Sequence, residues 1–153
     1  MEKITVRSCA LSELTSAPNF KQLIDAYAAE SALPVLGKPN TDMVAYQAMD
    51  AAGILNVLIA VDSDDTVVGF VGMITVPSPH YGVLISSTES LFVLPEFRVG
   101  GTCQKLLALA NEVAMQRGAA VLVVSAPISG ALDKVLPRWG FSETYRFYSK
   151  RLQ

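Results

Sequence analysis

The run Arg98-Val-Gly-Gly-Thr-Cys103 holds the clearest chemical potential in the chain. It follows the apolar, strand-like segment "ESLFVLP" and leads into a stretch with helical periodicity. A helix N-terminus offers up to four N–H groups without intrahelical partners, together with the positive end of the macrodipole, and so attracts anions, phosphates above all. Glycines let backbone amides approach such a ligand closely, and Arg98 adds a permanent cation. An ordinary strand-to-helix turn that happens to contain glycines has the same pattern. Two nucleotide signatures are absent: Gly37-Lys38 is followed by Pro39, which breaks G-x-x-x-x-G-K-[ST], and there is no G-x-G-x-x-G.

Other reactive side chains are few. Glu89 lies on the strand before the glycine turn, and period-2 alternation places it on the face of Leu91 and Val93 unless a bulge intervenes. A carboxylate there can take a proton from an attacking ammonium, directly or through water; an exposed strand glutamate gives the same pattern. His80, in the loop "PSPHYG", is the only histidine, and Cys9 and Cys103 are far apart in sequence, so no protein-ligated metal is expected. A Cys103–His80 nucleophilic pair would use the lowered thiol pKa of a helix N-terminus. Against it, Cys103 already has a place in the glycine turn. Trp139 is expected in the core or at its rim.

The elements that position these residues follow from periodicity. Lys3 to Cys9 alternate as a half-buried strand. A helix begins near Asn19, with Gln22 completing a capping box, and buries Phe20, Leu23, Ile24, Tyr27 and Ala28 before Pro34 and Gly37. A second helix runs from Asp42 to Ala52, capped by Thr41 and closed by Gly53. "ILNVLIAVD" and "TVVGFVGMITV" read as a hairpin turning at "SDD". Val83 to Leu94 forms a further strand. The best-supported helix spans about Gly101 to Arg117, with Cys103, Leu106, Leu107, Ala110, Val113 and Ala114 on one face and Gly118 as its C-terminal stop. "AAVLVVSA" reads as a strand buried on both faces. A short helix follows from about Ser129 to Arg138, and "FSETYRFYSKRL" reads as terminal strand or hairpin.

Composition bounds the function. The 153 residues suit a single domain, 1–153, and 51% hydrophobic against 17% charged residues excludes a disordered chain. No apolar run is long enough for a membrane helix, and "MEKITVRSCA" lacks a secretory h-region, so a cytoplasmic protein with reduced thiols is expected. A formal charge of −2 without a basic cluster argues against nucleic acid as partner.

"ESLFVLPEFRVGGTCQKLL" resembles the signature of the GNAT superfamily of N-acyltransferases, which use acetyl-CoA or another acyl-CoA. In that family V-x-P-x-x-R leads into [QR]-x-x-G-x-[GA]; the matching residues are Val93, Pro95, Arg98 and Gly101, with Cys103 where glycine or alanine is usual. "ITVRSCALSEL", "LIAVDSDDTVVGFVGM" and "PRWGF" followed by "YRFYSKRL" resemble other family segments, in the family's order. The resemblance implies an α/β (α+β) fold in one domain: a mixed, mostly antiparallel sheet of six to seven strands, about four flanking helices, and splayed fourth and fifth strands.

It also implies a cofactor site. Backbone groups around Phe92 and Val93 would bind pantetheine, and the amides of Val99, Gly100, Gly101, Thr102, Cys103 and Gln104 would take the pyrophosphate. Arg98 would support the loop or contact phosphate. Counting back from Gly140-Phe141 sets Ser129 in the place of the family's pantetheine-contacting asparagine. The same count sets Leu136 in the place of the tyrosine that protonates the departing thiolate, so that proton donor is absent. The implied function is transfer of an acetyl or other acyl group from acyl-CoA to a primary amine, on a small molecule or a protein, with Glu89 as base. The alternatives are a GNAT-fold module that binds CoA or a protein partner with little catalysis, and a nucleotide-binding regulator. Related proteins pair through terminal strands, so a homodimer is expected.

Overall fold

The computed structural model describes residues 3–153. The reading of the N-terminal segment rests partly on Met1 and Glu2, which lie outside them. The chain runs β1 (Thr5–Cys9), α1 (Leu11–Thr15), α2 (Phe20–Ser31), α3 (Met43–Ala51), β2 (Leu55–Val61), β3 (Val67–Ser78), β4 (Val83–Val93), α4 (Thr102–Gln116), β5 (Ala119–Val123) and α5 (Ala131–Val135), with 3-10 turns at Pro95–Phe97 and Leu136–Trp139. The strands form one mixed sheet in the order β1-β2-β3-β4-β5. Pairing is antiparallel from β1 to β4 and parallel between β4 and β5. The α/β class is as expected. The described residues hold five strands where six to seven were expected, and five helices where four were.

The helices form where the apolar stripes lie. α2 buries Leu23 and Ala28, and α4 buries Leu106, Leu107, Ala110, Val113 and Ala114 and stops at Gly118, whose φ of 78° suits glycine. Successive residues of β2 and β3 are buried, so both sheet faces are covered. α1, α2 and α3 lie on the side to which Leu55, Val57 and Phe70 point, and α4 crosses all five strands on the other. Leu23, Leu58, Ile59, Met73 and Leu106 are fully buried between these layers. Each such side chain stabilises the fold by about 1.5–3 kcal/mol relative to exposure.

Several local expectations are corrected. Asn19 does not cap α2; its Nδ2 donates to Val67 O at 2.8 Å and ties the helix start to β3. Asp42, not Thr41, caps α3, its Oδ1 accepting from the amides of Val44 and Ala45. α1 was missed because five residues with two buried leucines, Leu11 and Leu14, are too short to show a period.

β5 is not buried on both faces: Leu122 turns inward toward α4, whereas Val121 and Val123 are exposed. An apolar run reports what a strand can bury, not whether a neighbour covers it. No strand forms after Gly140 among the described residues. Strand propensity is realised only on a paired, half-buried surface. Phe147 and Tyr148 meet none and stand exposed, while the Tyr145 hydroxyl lies 3.4 Å from that of Tyr81.

Candidate functional site

β4 and β5 part company midway. Their register runs from Leu84↔Ala119 to Ser87↔Val123 and ends there, although β4 continues to Val93. The pairing stops because β5 itself ends at Val123, and just beyond it the Ser125 amide donates to Thr88 Oγ1 at 3.4 Å. The cleft opens at the carboxyl ends of two parallel strands, the usual ligand position in such sheets. Leu94 N–H bonds Val68 O, so antiparallel alternation turns the backbone groups of Phe92 toward β3 and those of Leu91 and Val93 toward the cleft. Phe92 itself packs its ring against Tyr27 and Phe70.

The glycine turn closes the upper end of this cleft. Gly100 and Gly101 have φ of 98° and 82°, a conformation that side chains strongly disfavour. Gly101 is the N-cap residue of α4 and supplies no side-chain cap. Lys105 N–H is the first to find an intrahelical partner, Gly101 O. The amides of Thr102, Cys103 and Gln104 precede it and form the anion-attracting first turn. A groove of about 440 Å³ starts at Gln104 and runs along α4 past Leu107 and Asn111, walled by Leu122, Trp139 and Phe141.

Arg98 supports the strand end. Its Nε donates to Val93 O at 2.8 Å, its Nη2 meets both Glu30 oxygens at 2.7 Å, and its guanidinium lies 5.6 Å from the Phe92 ring centroid. These contacts tie the loop to the end of β4 and to α2. Cys103 is half-buried, and burial raises its thiol pKa, so the helix terminus does not produce a thiolate there. His80 precedes β4 and Cys103 follows it. The eleven-residue strand between the two segments spans roughly 30 Å at ~3.3 Å per residue. His80 packs edge-on against Tyr81 instead, with ring centroids 4.8 Å apart.

Glu89 sits on a bulge. Gly72 pairs with Ser90 and Met73 with Thr88, which leaves Glu89 as the extra residue of β4. The simple alternation with Leu91 and Val93 is thereby broken. The Glu89 carboxylate turns to the α2 and α3 side, where Tyr46 Oη donates to Oε2 at 2.5 Å. Burial, and then the bond to Glu89, push the Tyr46 pKa well above the usual tyrosine range, so its hydroxyl stays protonated as donor. Gly72 makes room for this: a Cβ there would stand 2.6 Å from Ser90 Oγ and 3.6 Å from Glu89 Oε2.

Sequence reading missed Tyr46. Its signal was the Met43, Tyr46, Met49 spacing of a sheet-facing stripe, which does not distinguish packing from function. Ser129 is exposed with φ of 61°, and its amide is taken by Asp133 Oδ2 at 2.9 Å, leaving the hydroxyl for contact. Leu136 is buried and brings no proton donor. No group of three or more histidine, cysteine or acidic residues able to hold a metal occurs among the described residues, nor does a helix long and apolar enough to cross a membrane.

A parallel strand pair whose pairing stops midway, with a glycine-led helix N-terminus beyond the end of β4, is an arrangement suited to an anionic ligand. The model of the acetyltransferase (GNAT) family matches residues 21–136, and the chain belongs to that family. The fold is similar to a ribosomal-protein-alanine N-acetyltransferase from Brucella melitensis, with TM-score 0.72 and 21% identity over 99% of this chain and 100% of that one. An aminoglycoside acetyltransferase from an uncultured soil metagenomic sample gives TM-score 0.74 and 18% identity over 98% and 97% of the two chains. Glucosamine-6-phosphate N-acetyltransferase from Arabidopsis thaliana gives 0.75 and 11% over 99% and 100%. A sequence search among curated proteins finds no match.

Proposed function

We propose that this protein transfers an acetyl or other acyl group from acyl-CoA to a primary amine. One observation carries the reading. The cleft between β4 and β5 begins beside the bulged Glu89 and ends at the free first-turn amides of α4. The residues fit the donor: the turn Val99–Gly101 with the amides of Thr102, Cys103 and Gln104 suits a pyrophosphate, and the backbone of Leu91 and Val93 suits an amide-bearing arm. Ser129, exposed in the segment after β5, would offer its hydroxyl to the same arm. Bound acyl-CoA supplies an activated thioester.

The chain's own groups then orient and deprotonate. Glu89 accepts a proton from the acceptor ammonium, held toward it by Tyr46. Backbone N–H groups of β4 polarise the acyl carbonyl, and pre-organised donors of this kind carry much of such catalysis. Leu136 has no proton to donate, so this chain would leave protonation of the departing thiol to water, and free thiols have a pKa of ~8.5. Leu136 also favours a second reading, a CoA-binding module with little turnover. The exposed tail aromatics Phe147 and Tyr148 support pairing of two copies, and the free thiols support a reducing, cytoplasmic setting.

Calorimetry with acetyl-CoA and with ATP, followed by thiol release over a panel of amines, tests these readings. Acetyl-CoA is expected to bind and ATP not. Tight acetyl-CoA binding without transfer to any amine would select the module, and ATP binding alone would overturn both.

A further inference from the structure

The acceptor side of the site has its own chemistry, and its interpretation rests on the acyl-transfer reading. Between α1, α2, α3 and the sheet lies a cavity of about 40 Å³, walled by Leu11, Phe20, Ile24, Tyr27, Tyr46 and Phe70. It reaches Gly72 and Ser90, beside the bulged Glu89. Among the described residues no charged side chain lines it; Thr15, Thr41, Ser90 and the tyrosine hydroxyls are its polar groups. Glu89 is the carboxylate that Tyr46 holds at this place.

We propose that this cavity receives the body of the acceptor. The acceptor is then a primary amine with one positive charge on an apolar alkyl or aryl body, and Tyr46 is the positioning residue that aims Glu89 at its nitrogen. One carboxylate balances one ammonium. A second ammonium pushed into the cavity would lose its hydration with no partner, which is costly. No lysine or arginine lines the cavity to meet a phosphate on the acceptor. A water-sized probe needs ~10–15 Å³ of such volume, so the cavity takes a short chain or the edge of one ring that extends outward, not an oligosaccharide. This separates the chain from its aminoglycoside and sugar-phosphate fold relatives.

The test uses the full chain with phenethylamine, spermidine, kanamycin and glucosamine 6-phosphate, read by thiol release and by calorimetry of phenethylamine on the CoA-loaded protein. Phenethylamine is expected to exceed the other three by at least about tenfold in kcat/KM, the discrimination an apolar pocket supplies. Ile24→Lys should raise its KM by about tenfold or more while sparing acetyl-CoA binding. Ile24→Ala, which keeps the cavity apolar if the lysine variant fails to fold, should shift preference toward bulkier monoamines. Tyr46→Phe keeps the ring and should lower kcat by about tenfold with KM changed less than about twofold, as expected for one hydrogen bond to a charged group.

Turnover of spermidine, kanamycin or the sugar phosphate in preference to phenethylamine overturns the inference and leaves acyl transfer standing. So does absence of phenethylamine binding at millimolar concentration. Phenethylamine binding that Ile24→Lys abolishes, without turnover of any amine, supports the cavity assignment and overturns the acyl-transfer reading instead. A lower kcat in Tyr46→Phe accompanied by a lowered melting temperature and a raised KM would reduce Tyr46 to packing.

Discussion

The substitution Glu89→Gln removes basicity and little else. Glutamate and glutamine have the same shape, and the new side-chain amide keeps an oxygen to accept from the Tyr46 hydroxyl, which in the native chain donates to Glu89 Oε2 at 2.5 Å. Glu89 is exposed, so the melting temperature should hardly move; surface changes of this kind are usually within ~0.5 kcal/mol. Loss of a general base costs about 10²-fold in rate, or about 2.7 kcal/mol of barrier. The assay is thiol release at saturating acetyl-CoA with the amine varied, from about pH 6 to pH 10.

Without the carboxylate the amine must arrive already neutral. The variant's kcat/KM should therefore climb about tenfold per pH unit up to the amine's own pKa, and the gap to the wild type should narrow as pH rises. Tyr46 adds no break in this range, because its pKa lies above the usual tyrosine value and its hydroxyl stays protonated throughout. Wild-type turnover in the variant, or a constant ratio between the two profiles at every pH, would refute Glu89 as base.

Gly101→Val places a β-branched residue at φ 82°, a strain of about 1–2 kcal/mol, on the turn whose amides are proposed to hold the pyrophosphate. Calorimetry should show acetyl-CoA affinity reduced at least about tenfold, and unchanged affinity would remove this turn from the site. Leu136→Tyr restores a phenol where the family has one. Thiol-release turnover should stay the same or rise, with melting temperature followed because Leu136 is buried, and a large loss at unchanged stability would contradict an unassisted thiolate departure. Burial pushes the Cys9 thiol from 9.0 up to about 11. A raised folded-state pKa stabilises below the unfolded value and is lost as pH climbs toward the folded one. Denaturant midpoints should therefore fall between about pH 9 and pH 11, and less so in Cys9→Ala.

Much of the proposed donor half of the site was legible because it is local. A glycine turn, a proline before it and a helical stripe after it are contiguous, and left-handed φ at Gly100 and Gly101 together with a free first helical turn follow from those residues alone. The same holds for the core stripe of α4 and the β2–β3 hairpin, where Asp62 Oδ1 accepts from the Asp64 and Thr66 amides. Period and capping are short-range properties, and the sequence carries them.

The proposed acceptor half depends on contacts between distant segments. Tyr46 meets Glu89 across 43 residues, and that meeting requires a bulge whose position depends on Gly72 of the neighbouring strand. Alternation alone put Glu89 on the wrong side, because one inserted residue reverses every side chain after it. The terminal segment failed for the same reason in reverse: its aromatic alternation is strand-like, but a strand exists only where an edge receives it, and Phe147 and Tyr148 stand in solvent. From sequence, Arg98 reads equally as a phosphate ligand and as a support of the loop. Tertiary structure commits it to Val93 O and Glu30, because α2 brings a carboxylate to the end of β4.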